Sequence, residues 1–387
     1  MSTAISGLGS RFTMTLEGVG SIVPDDRVDN AALLRRLRPA RPDGRPIEPE
    51  WVERHLGIHE RRLDFDFARS TKRSRDDGGL YDGDLAVRSA SRALDDAGAS
   101  ADDVDVLVHV STTPDTIACA DHLRFITREL GLRCDVDLVH HNLGCAGLAA
   151  GLRTAAAYVG ATAPATALVV ASNCVSAYYG PESAAAYHED RHEGTVMDWL
   201  VPLMFADGAG ATVWRGVPAD PRRPRRGLCS VRYETHPDTA LVTYPAGGGL
   251  AHTTSGNVLD HRFFMDARRV SEEFAPLILR DMAMLEEDWP AHIKPAVGHD
   301  FDPDRVSRWY MHQANGVVVR KAIELLGLPP DKVPVGVDHY GNLSAASTVV
   351  LLDEDRRAGR LREGDLAVFL WVGAGNGAMN GYAALVA

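Results

Sequence analysis

Apolar positions in the first half of the chain change from helical to strand spacing. Leu85–Ala97 places apolar side chains on one helical face and stops at Gly98, which predicts an amphipathic helix. Val104–Val110 then alternates, is rich in valine and ends at Thr112-Thr113-Pro114, which predicts a short strand. A helix that leads into a buried strand is typical of an α/β protein.

The second half of the chain shows a similar order. Phe274–Leu285 predicts a helix and Val306–Met311 a strand. A further pair of apolar strands, Ala167–Ala171 and Leu366–Val372, lies near the end of each half. This weak repetition favours a duplicated architecture, with a boundary in the Pro- and Arg-rich segment Val217–Arg226.

Length, charge and composition narrow the class of protein. A chain of 387 residues can bury a large core, and its formal net charge of -12 argues against a nucleic-acid surface. The Arg222–Arg226 run fits a solvated loop better than a docking patch for an acidic carrier protein. Because no segment reaches the ~20 apolar residues of a membrane span and the N-terminus lacks a secretion signal, we expect a cytoplasmic protein without membrane contacts.

Several patterns associated with cofactors are absent or incomplete. The cysteines include no CxxC pair, so neither a disulfide framework nor a thiolate zinc site is expected. His188–His192 matches the zinc-binding HExxH pattern, but its charged interior and the following Gly194 favour a solvated helix or insertion. The glycine-rich turns Asp207–Ala211 and Gly373–Gly377 fit neither a P-loop nor a dinucleotide site. We therefore expect no metal and no nucleotide cofactor.

Cys145 is the candidate nucleophile. It precedes the Ala-rich run Leu148–Val159, which has high helical propensity. At a helix N-terminus, unpaired N–H groups and the helix dipole favour the thiolate and lower a thiol pKa that starts near ~8.5. The alternative is a small buried cysteine at a tight helix start, although Gly144 and Gly147 would allow the close approach of a ligand.

His312 and Asn342 are the candidate partners of this cysteine. His312 lies between a predicted strand and the helical run Gly316–Leu326, and Asn342 lies in another turn that leads into a helix. Each alone could be a cap or turn residue. Together with Cys145 they suit thioester chemistry, in which a thiolate attacks an acyl carbonyl and neutral donors stabilise the oxyanion.

Five ordered motifs resemble those of ketoacyl-ACP synthase III and its relatives in the thiolase superfamily. The resemblance covers nearly the whole chain and implies a five-layered αβαβα fold of two duplicated halves, 1–220 and 221–387. It also implies a homodimer with its active site at the end of a pantetheine tunnel. The matching segments are Glu50–Arg61, Gly144–Gly147, Phe205–Ala211, His312–Asn315 and Gly341–Ser347.

The resemblance implies a role for each site residue. Cys145 would take an acyl group from a CoA or carrier-protein thioester. His312 and Asn342 would bind the thioester carbonyl of a malonyl-type extender as it loses CO₂. Backbone N–H groups of Cys145 and Gly375 would form the oxyanion hole. No metal or redox cofactor is required.

Further positions are implied to shape the substrate site. Trp51 and His55 would lie in the CoA and pantetheine site, where His55 replaces an arginine of the family. Ile117 would reach the acyl pocket across the dimer interface. For Trp51 and Ile117, which are both apolar, ordinary core packing is the alternative. Val317 replaces a basic residue associated with carrier-protein docking. With the long segment 178–200, these departures predict a reshaped pocket and a role in specialised polyketide or fatty-acid-like metabolism.

Two acyltransferase functions fit these residues. The first is a Claisen condensation, because enolate stabilisation needs two donors at one carbonyl oxygen and Asn342 is retained. The second is transfer of the Cys145-bound acyl group to an O or N nucleophile of a natural product, which chiefly needs a base and an oxyanion hole. A non-catalytic subunit of a heterodimeric synthase would usually have lost the cysteine.

Overall fold

The structure is a computed structural model, and it describes most of the chain. The described residues are 5–6, 12–37, 45–67, 69, 71–116, 118–162, 164–176, 201–218, 226–239, 241–243, 264–265, 267–375 and 377–387. Ile117, the segment 178–200 with its HExxH pattern, and most of the Arg222–Arg226 run lie outside these residues.

The described residues form fourteen strands and eleven α-helices. The strands are β1 Ile5–Ser6, β2 Phe12–Ile22, β3 Arg27–Asp29, β4 Glu60–Arg62, β5 Val106–Val110, β6 Asp137–His141, β7 Thr166–Asn173, β8 Gly208–Pro218, β9 Gly227–His236, β10 Val242–Thr243, β11 Phe264–Met265, β12 Arg308–Met311, β13 Leu366–Gly375 and β14 Gly377–Val386. The helices are α1 Asn30–Leu37, α2 Pro49–Leu56, α3 Asp82–Ala97, α4 Cys119–Leu130, α5 Gly147–Thr162, α6 Val201–Met204, α7 Ala267–Asp288, α8 Lys294–Val297, α9 Gly316–Leu326, α10 Val337–Tyr340 and α11 Ser347–Arg357.

Two mixed five-stranded sheets organise the molecule. The first has the order β2-β8-β7-β5-β6, in which β5 runs parallel to both β6 and β7. The second has the order β1-β9-β14-β13-β12, in which β12 runs parallel to β13. The expected boundary near residue 220 falls between β8 of the first sheet and β9 of the second, while β1 joins the second sheet from the N-terminal end.

Helices cover both faces of each sheet. α5 and α11 lie between the sheets and share one apolar core with strands of both. α3 and α4 cover the outer face of the first sheet, and α7 and α9 cover that of the second. The layers therefore run αβαβα, and the fold class predicted from the sequence motifs is confirmed.

The helix α5 lies in the central layer, where it packs closely against both sheets. Its buried positions are mostly alanine, glycine and leucine, in keeping with a helix enclosed on two sides. A Cβ on Gly151 would lie 2.8 Å from a methyl carbon of Val110, so only glycine fits there without movement of the Val110 side chain. Among the described helices, none combines the length and apolarity needed to cross a membrane.

Candidate active site

Cys145 lies at the start of α5, as its sequence context predicts. The turn before the helix is closed by the N–H of Gly147, which donates to the carbonyl of Gly144 at 2.8 Å. The cysteine is buried, with 8% of its surface exposed. The end of β13 packs directly on it, because a Cβ on Gly373 would lie 2.5 Å from the Cβ of Cys145.

The surroundings of Cys145 favour its thiolate. Burial by itself would raise the pKa of this thiol. The charge and hydrogen bond of His312, the hydroxyl of Ser344 and the backbone N–H of Ala374 outweigh burial and lower the pKa below its ordinary value. The hydroxyl oxygen of Ser344 lies 3.7 Å from Sγ. A lowered pKa is what a thiol nucleophile needs near neutral pH.

His312 is held at the carboxyl end of β12. Its backbone N–H donates to the carbonyl of Leu370 at 2.9 Å, which continues the parallel pairing of β12 with β13 past the last strand residue. The side chain is buried, and its Nδ1 has no hydrogen-bond partner among the described residues. The imidazole therefore reaches the Cys145 sulfur from a rigid strand end, with one ring nitrogen left unpaired.

Gln313 and Asn315, which follow His312 in the motif, hold the loop in place. Gln313 donates to the carbonyl of Met311 at 2.8 Å and accepts from the N–H of Gly336 at 3.1 Å. Asn315 is the N-cap of α9, where its Oδ1 accepts from the N–H of Val318 at 2.8 Å. The sequence did not distinguish these roles, although an Asn before an apolar helical run is a recognised cap signal.

The amide of Asn342 has a defined orientation. Its Oδ1 accepts from the backbone N–H of Ser344 at 2.8 Å, and its Nδ2 donates to the carbonyl of Ala314 at 3.2 Å. Its backbone also forms an isolated β-bridge with Phe205. This contact joins Asn342 to the Phe205–Ala211 motif. With the oxygen occupied, the amide NH₂ is the group with a hydrogen left to offer a substrate.

Ser344 is a site residue that the sequence did not single out. It is the one non-glycine residue with positive φ, 54°, in the described part of the chain. Such a conformation costs a non-glycine residue about 1–2 kcal/mol. This backbone conformation accompanies the contact between the Ser344 hydroxyl and Cys145, and the strained position lies within the predicted Gly341–Ser347 motif.

The glycine-rich end of β13 provides backbone amides close to the sulfur. The N–H that contacts Sγ belongs to Ala374. Gly375, which the sequence indicated for the oxyanion hole, is the next residue and ends β13, where it pairs with Gly377. The assignment of the second oxyanion donor to Gly375 therefore stays a prediction, with Ala374 as the neighbouring alternative.

One cavity of ≈ 320 Å³ connects the predicted residues. Cys145, His312 and Asn342 line it, and so do Trp51 and His55 of α2. The rings of Trp51 and His55 stack at a centroid distance of 4.3 Å. The structure thus brings five separated sequence positions to one site, whereas Ile117 lies outside the described residues.

The same cavity contains a basic residue that the sequence did not indicate. Val317 lines it, at the position where the family resemblance implies a cation. Lys321, one helical turn further along α9, lines it too. A positive charge is therefore present at this wall of the cavity, displaced by one turn.

Comparison with known proteins gives two family matches. Residues 298–385 match the family described as 3-oxoacyl-(acyl-carrier-protein) synthase III C terminal, and residues 82–221 match the chalcone and stilbene synthases, N-terminal domain. The beta-ketoacyl-(acyl-carrier-protein) synthase III of Desulfitobacterium hafniense is 30% identical over 365 residues, which cover 92% of this chain and 93% of that protein. The enzyme of Rhodopirellula baltica is 29% identical, with coverages of 95% and 97%.

Solved structures agree with the fold. An OleA variant of Xanthomonas campestris has a TM-score of 0.76 at 19% identity, over 97% of this chain and 98% of that one. FabH, the 3-oxoacyl-(acyl carrier protein) synthase III of Pseudomonas aeruginosa, has a TM-score of 0.72 at 23% identity, over 96% and 98%.

The layered fold and these matches define a thiolase-fold condensing enzyme, an acyltransferase that acts on acyl thioesters and needs no cofactor. More narrowly, the chain belongs to the beta-ketoacyl-(acyl-carrier-protein) synthase III family. The family predicted from the sequence motifs is confirmed.

Proposed function

We propose that this chain forms a C–C bond by decarboxylative Claisen condensation between an acyl group on Cys145 and a malonyl-type thioester. The observation that carries the proposal is that the Cys145 thiol and two hydrogen-bond donors, His312 and Asn342, line one cavity. Transfer to an alcohol or amine needs no second donor at an extender carbonyl. The fixed orientation of the Asn342 amide therefore supports condensation over transfer to an O or N nucleophile.

The first step loads the enzyme. The Cys145 thiolate attacks the thioester carbonyl of the donor, and the carbonyl oxygen becomes an oxyanion. Backbone N–H groups of Cys145 and of Gly375 or Ala374 donate to this oxygen. The intermediate then collapses, the donor's C–S bond breaks, and the CoA or carrier thiolate leaves with a proton from solvent or His312. The acyl group remains as a thioester on Cys145.

The second step makes the new bond. His312 and Asn342 donate to the thioester carbonyl of the bound malonyl-type group, whose C–CO₂ bond breaks and leaves its electrons on the enolate. The enolate carbon attacks the Cys145 thioester, a C–C bond forms, and the C–S bond to Cys145 breaks. The thiolate is regenerated, CO₂ is released, and the 3-oxoacyl thioester stays on the extender's carrier.

The remaining cavity walls suit a CoA-linked apolar chain. Val270 and Phe274, one turn apart on α7, line the cavity with Met265. We assign the adenine and pantetheine end to Trp51 and His55, and a phosphate or carrier-protein contact to Lys321. A Xanthomonas campestris OleA variant with a TM-score of 0.75 was solved with lauric acid and lauroyl-CoA, so this fold can hold a long acyl chain.

We also propose a cytoplasmic homodimer and a role in specialised metabolism. β6 ends the strand order of the first sheet and pairs with β5 alone among the described strands, and its Leu138 is 42% exposed. An edge strand has backbone groups on one side without a neighbouring strand, which favours pairing with a second chain. All five cysteines are free, which fits a reducing compartment. Light scattering tests the dimer, since Leu138→Glu should give monomers where the wild type gives dimers.

Intact-protein mass spectrometry with acetyl-, octanoyl- and lauroyl-CoA tests the reaction. Wild type should gain one acyl mass, which Cys145→Ala should not. Cys174→Ala is the matched control, because Cys174 is also buried and its burial raises the pKa of its thiol. Asn342→Ala should keep the adduct but lose the CO₂ release that malonyl-CoA triggers in wild type.

The outcomes separate the candidate functions. An adduct that malonyl-CoA discharges with CO₂ release establishes condensation. An adduct that persists with malonyl-CoA but discharges to an alcohol or amine supports the heteroatom acyltransferase instead. An adduct of equal mass on Cys145→Ala refutes the assignment of the nucleophile.

A further inference from the structure

We propose that Asp82, His109 and His122 form a buried binding site for a Zn²⁺-type cation with a structural role in the N-terminal half. Asp82 begins α3, His109 lies in β5 and His122 lies in α4. All three side chains are fully buried. Imidazole and carboxylate are common zinc ligands, and the proposal does not depend on the condensation chemistry. The sequence indicated no metal here, because the residues form no spaced motif.

The distances suit a tetrahedral ion. Oδ2 of Asp82 lies 3.2 Å from Nε2 of His122 and 3.6 Å from Nε2 of His109. Zinc bonds of about 2.0–2.1 Å place tetrahedral ligand atoms about 3.3 Å apart. One ligand atom from each residue lies within 4.8 Å of the other two. A cation can therefore be held with small side-chain movements.

One of the ligand atoms is poorly paired. Nε2 of His122 is buried and lies 3.2 Å from Oδ2 of Asp82, but the angle is too bent for a well-formed hydrogen bond. Buried polar atoms without a well-formed hydrogen bond are rare in folded proteins, so this atom is a candidate ligand position. A cation between Asp82 and His122 would replace their ion pair with two metal bonds.

Cation binding would displace hydrogens from this cluster. The hydroxyl hydrogen of Ser172 goes to Oδ2 of Asp82, so Nε2 of His109 donates to the Ser172 oxygen at 2.7 Å. Nε2 of His122 carries a hydrogen toward Asp82, because Nδ1 accepts from the N–H of Asp115; burial would lower the pKa of this ring, but the Asp82 carboxylate raises it. Histidine ligands must lose such hydrogens to a metal, so the cation should bind more tightly as pH rises.

Hydroxyl groups orient the Asp82 carboxylate. Ser111 and Thr113 donate to its Oδ1 at 3.0 and 2.8 Å. Ser172 donates to Oδ2 at 2.8 Å, and its oxygen lies 2.7 Å from Nε2 of His109. On cation binding this hydroxyl, or a water in its place, would complete the coordination. Such supporting hydrogen bonds are typical of metal ligands.

A second carboxylate orients His122. Oδ2 of Asp115 lies 3.8 Å from its Nδ1, which accepts from the backbone N–H of Asp115 at 3.3 Å. A cation at Nε2 requires the ring hydrogen on Nδ1. The bond from the Asp115 N–H would then be lost, and this hydrogen would face the Asp115 carboxylate. The result is the carboxylate–histidine–metal arrangement that fixes a ligand ring.

The position of the cluster gives the cation a function. Thr112, between the two residues that support Asp82, lines the active-site cavity. Thr113 also accepts from the backbone N–H of Cys174 at 2.9 Å. A cation that joins α3, α4 and β5 would therefore stabilise the fold and hold one wall of the cavity in place.

Metal analysis of the full-length protein tests the site. Wild type, grown with zinc and then desalted, should retain one zinc ion per chain by plasma mass spectrometry. His122→Gln should retain none. His141→Gln is the matched control, because this neighbouring β6 histidine bonds Thr154 outside the cluster, and it should keep the ion. His188→Gln should also keep it, since it removes only the HExxH pattern.

Two further measurements keep the test decisive if His122→Gln does not fold. Co²⁺-loaded wild type should show the visible absorption of a four-coordinate ion, and His109→Gln should lose it. The melting temperature of wild type should fall with EDTA and recover with Zn²⁺. Wild type without bound metal, an ion retained by both variants, or an ion lost with His188→Gln would each overturn the proposal.

Discussion

Removal of the Ser344 hydroxyl is expected to raise the pKa of the Cys145 thiol. The hydroxyl lies 3.7 Å from Sγ, and its hydrogen bond helps to lower a pKa that burial would raise. A hydrogen bond to a charged group contributes about 1.5–3 kcal/mol, and about 1.4 kcal/mol corresponds to one pKa unit. The equilibrium between thiolate and thiol should therefore shift toward the thiol by about 10- to 100-fold.

Two variants separate the hydroxyl from the backbone. Ser344→Ala and Ser344→Gly both lack the hydroxyl, so both should raise the thiol pKa by the same amount. They differ because φ at this position is 54°, which glycine adopts freely and alanine does not. Ser344→Ala should therefore be less stable than Ser344→Gly by about 1 kcal/mol.

The assay is the rate of Cys145 alkylation by iodoacetamide as a function of pH, followed by intact mass. Cys145→Ala gives the background from the other four cysteines, and denaturant unfolding gives the stability of each variant. If both variants keep the wild-type midpoint, the hydroxyl does not stabilise the thiolate. If only Ser344→Ala shifts it, the effect comes from the backbone, and the hydroxyl hydrogen bond does not stabilise the thiolate.

Three further changes test the site and the fold. Gly373→Ala should slow acylation of Cys145 about 100-fold, because the new Cβ would lie 2.5 Å from the Cβ of the cysteine. An unchanged rate of adduct formation would contradict this packing. Trp51→Ala should raise KM for acyl-CoA about 10-fold and leave kcat unchanged, because the adenine ring loses its stacking partner. A lower melting temperature with an unchanged KM would instead indicate that Trp51 is a core residue. Burial would raise the pKa of Asp355, but its bonds to arginines such as Arg308 lower it. Asp355→Asn should therefore cost about 3–5 kcal/mol of unfolding free energy at pH 7. The difference in unfolding free energy between wild type and variant, measured with denaturant, should shrink as pH falls below 3.8, the ordinary pKa of an aspartate. A difference that does not change with pH would argue against the ion pairs.

The sequence by itself determined the elements and the reacting groups. The apolar spacing of Leu85–Ala97 predicted α3 correctly, apart from its start at Asp82, because a helical face is a local property of the chain. Cys145 was identifiable because the glycines and the Ala-rich run beside it define a helix start within a few residues. The motifs around His312 and Asn342 likewise carried the family assignment.

Tertiary structure decided which groups meet. The contacts of Cys145 with Ser344 and Ala374 join segments about two hundred residues apart, and their distances depend on how the central helices pack between the sheets. One backbone N–H of the Gly373–Gly377 turn reaches the sulfur of Cys145. Its identity depends on the residue at which β13 stops pairing with β14. The cluster around Asp82 and His109 was invisible in the sequence for the same reason. Its members lie on one strand and two helices, and only the packing of those helices on the first sheet brings them within reach of one ion.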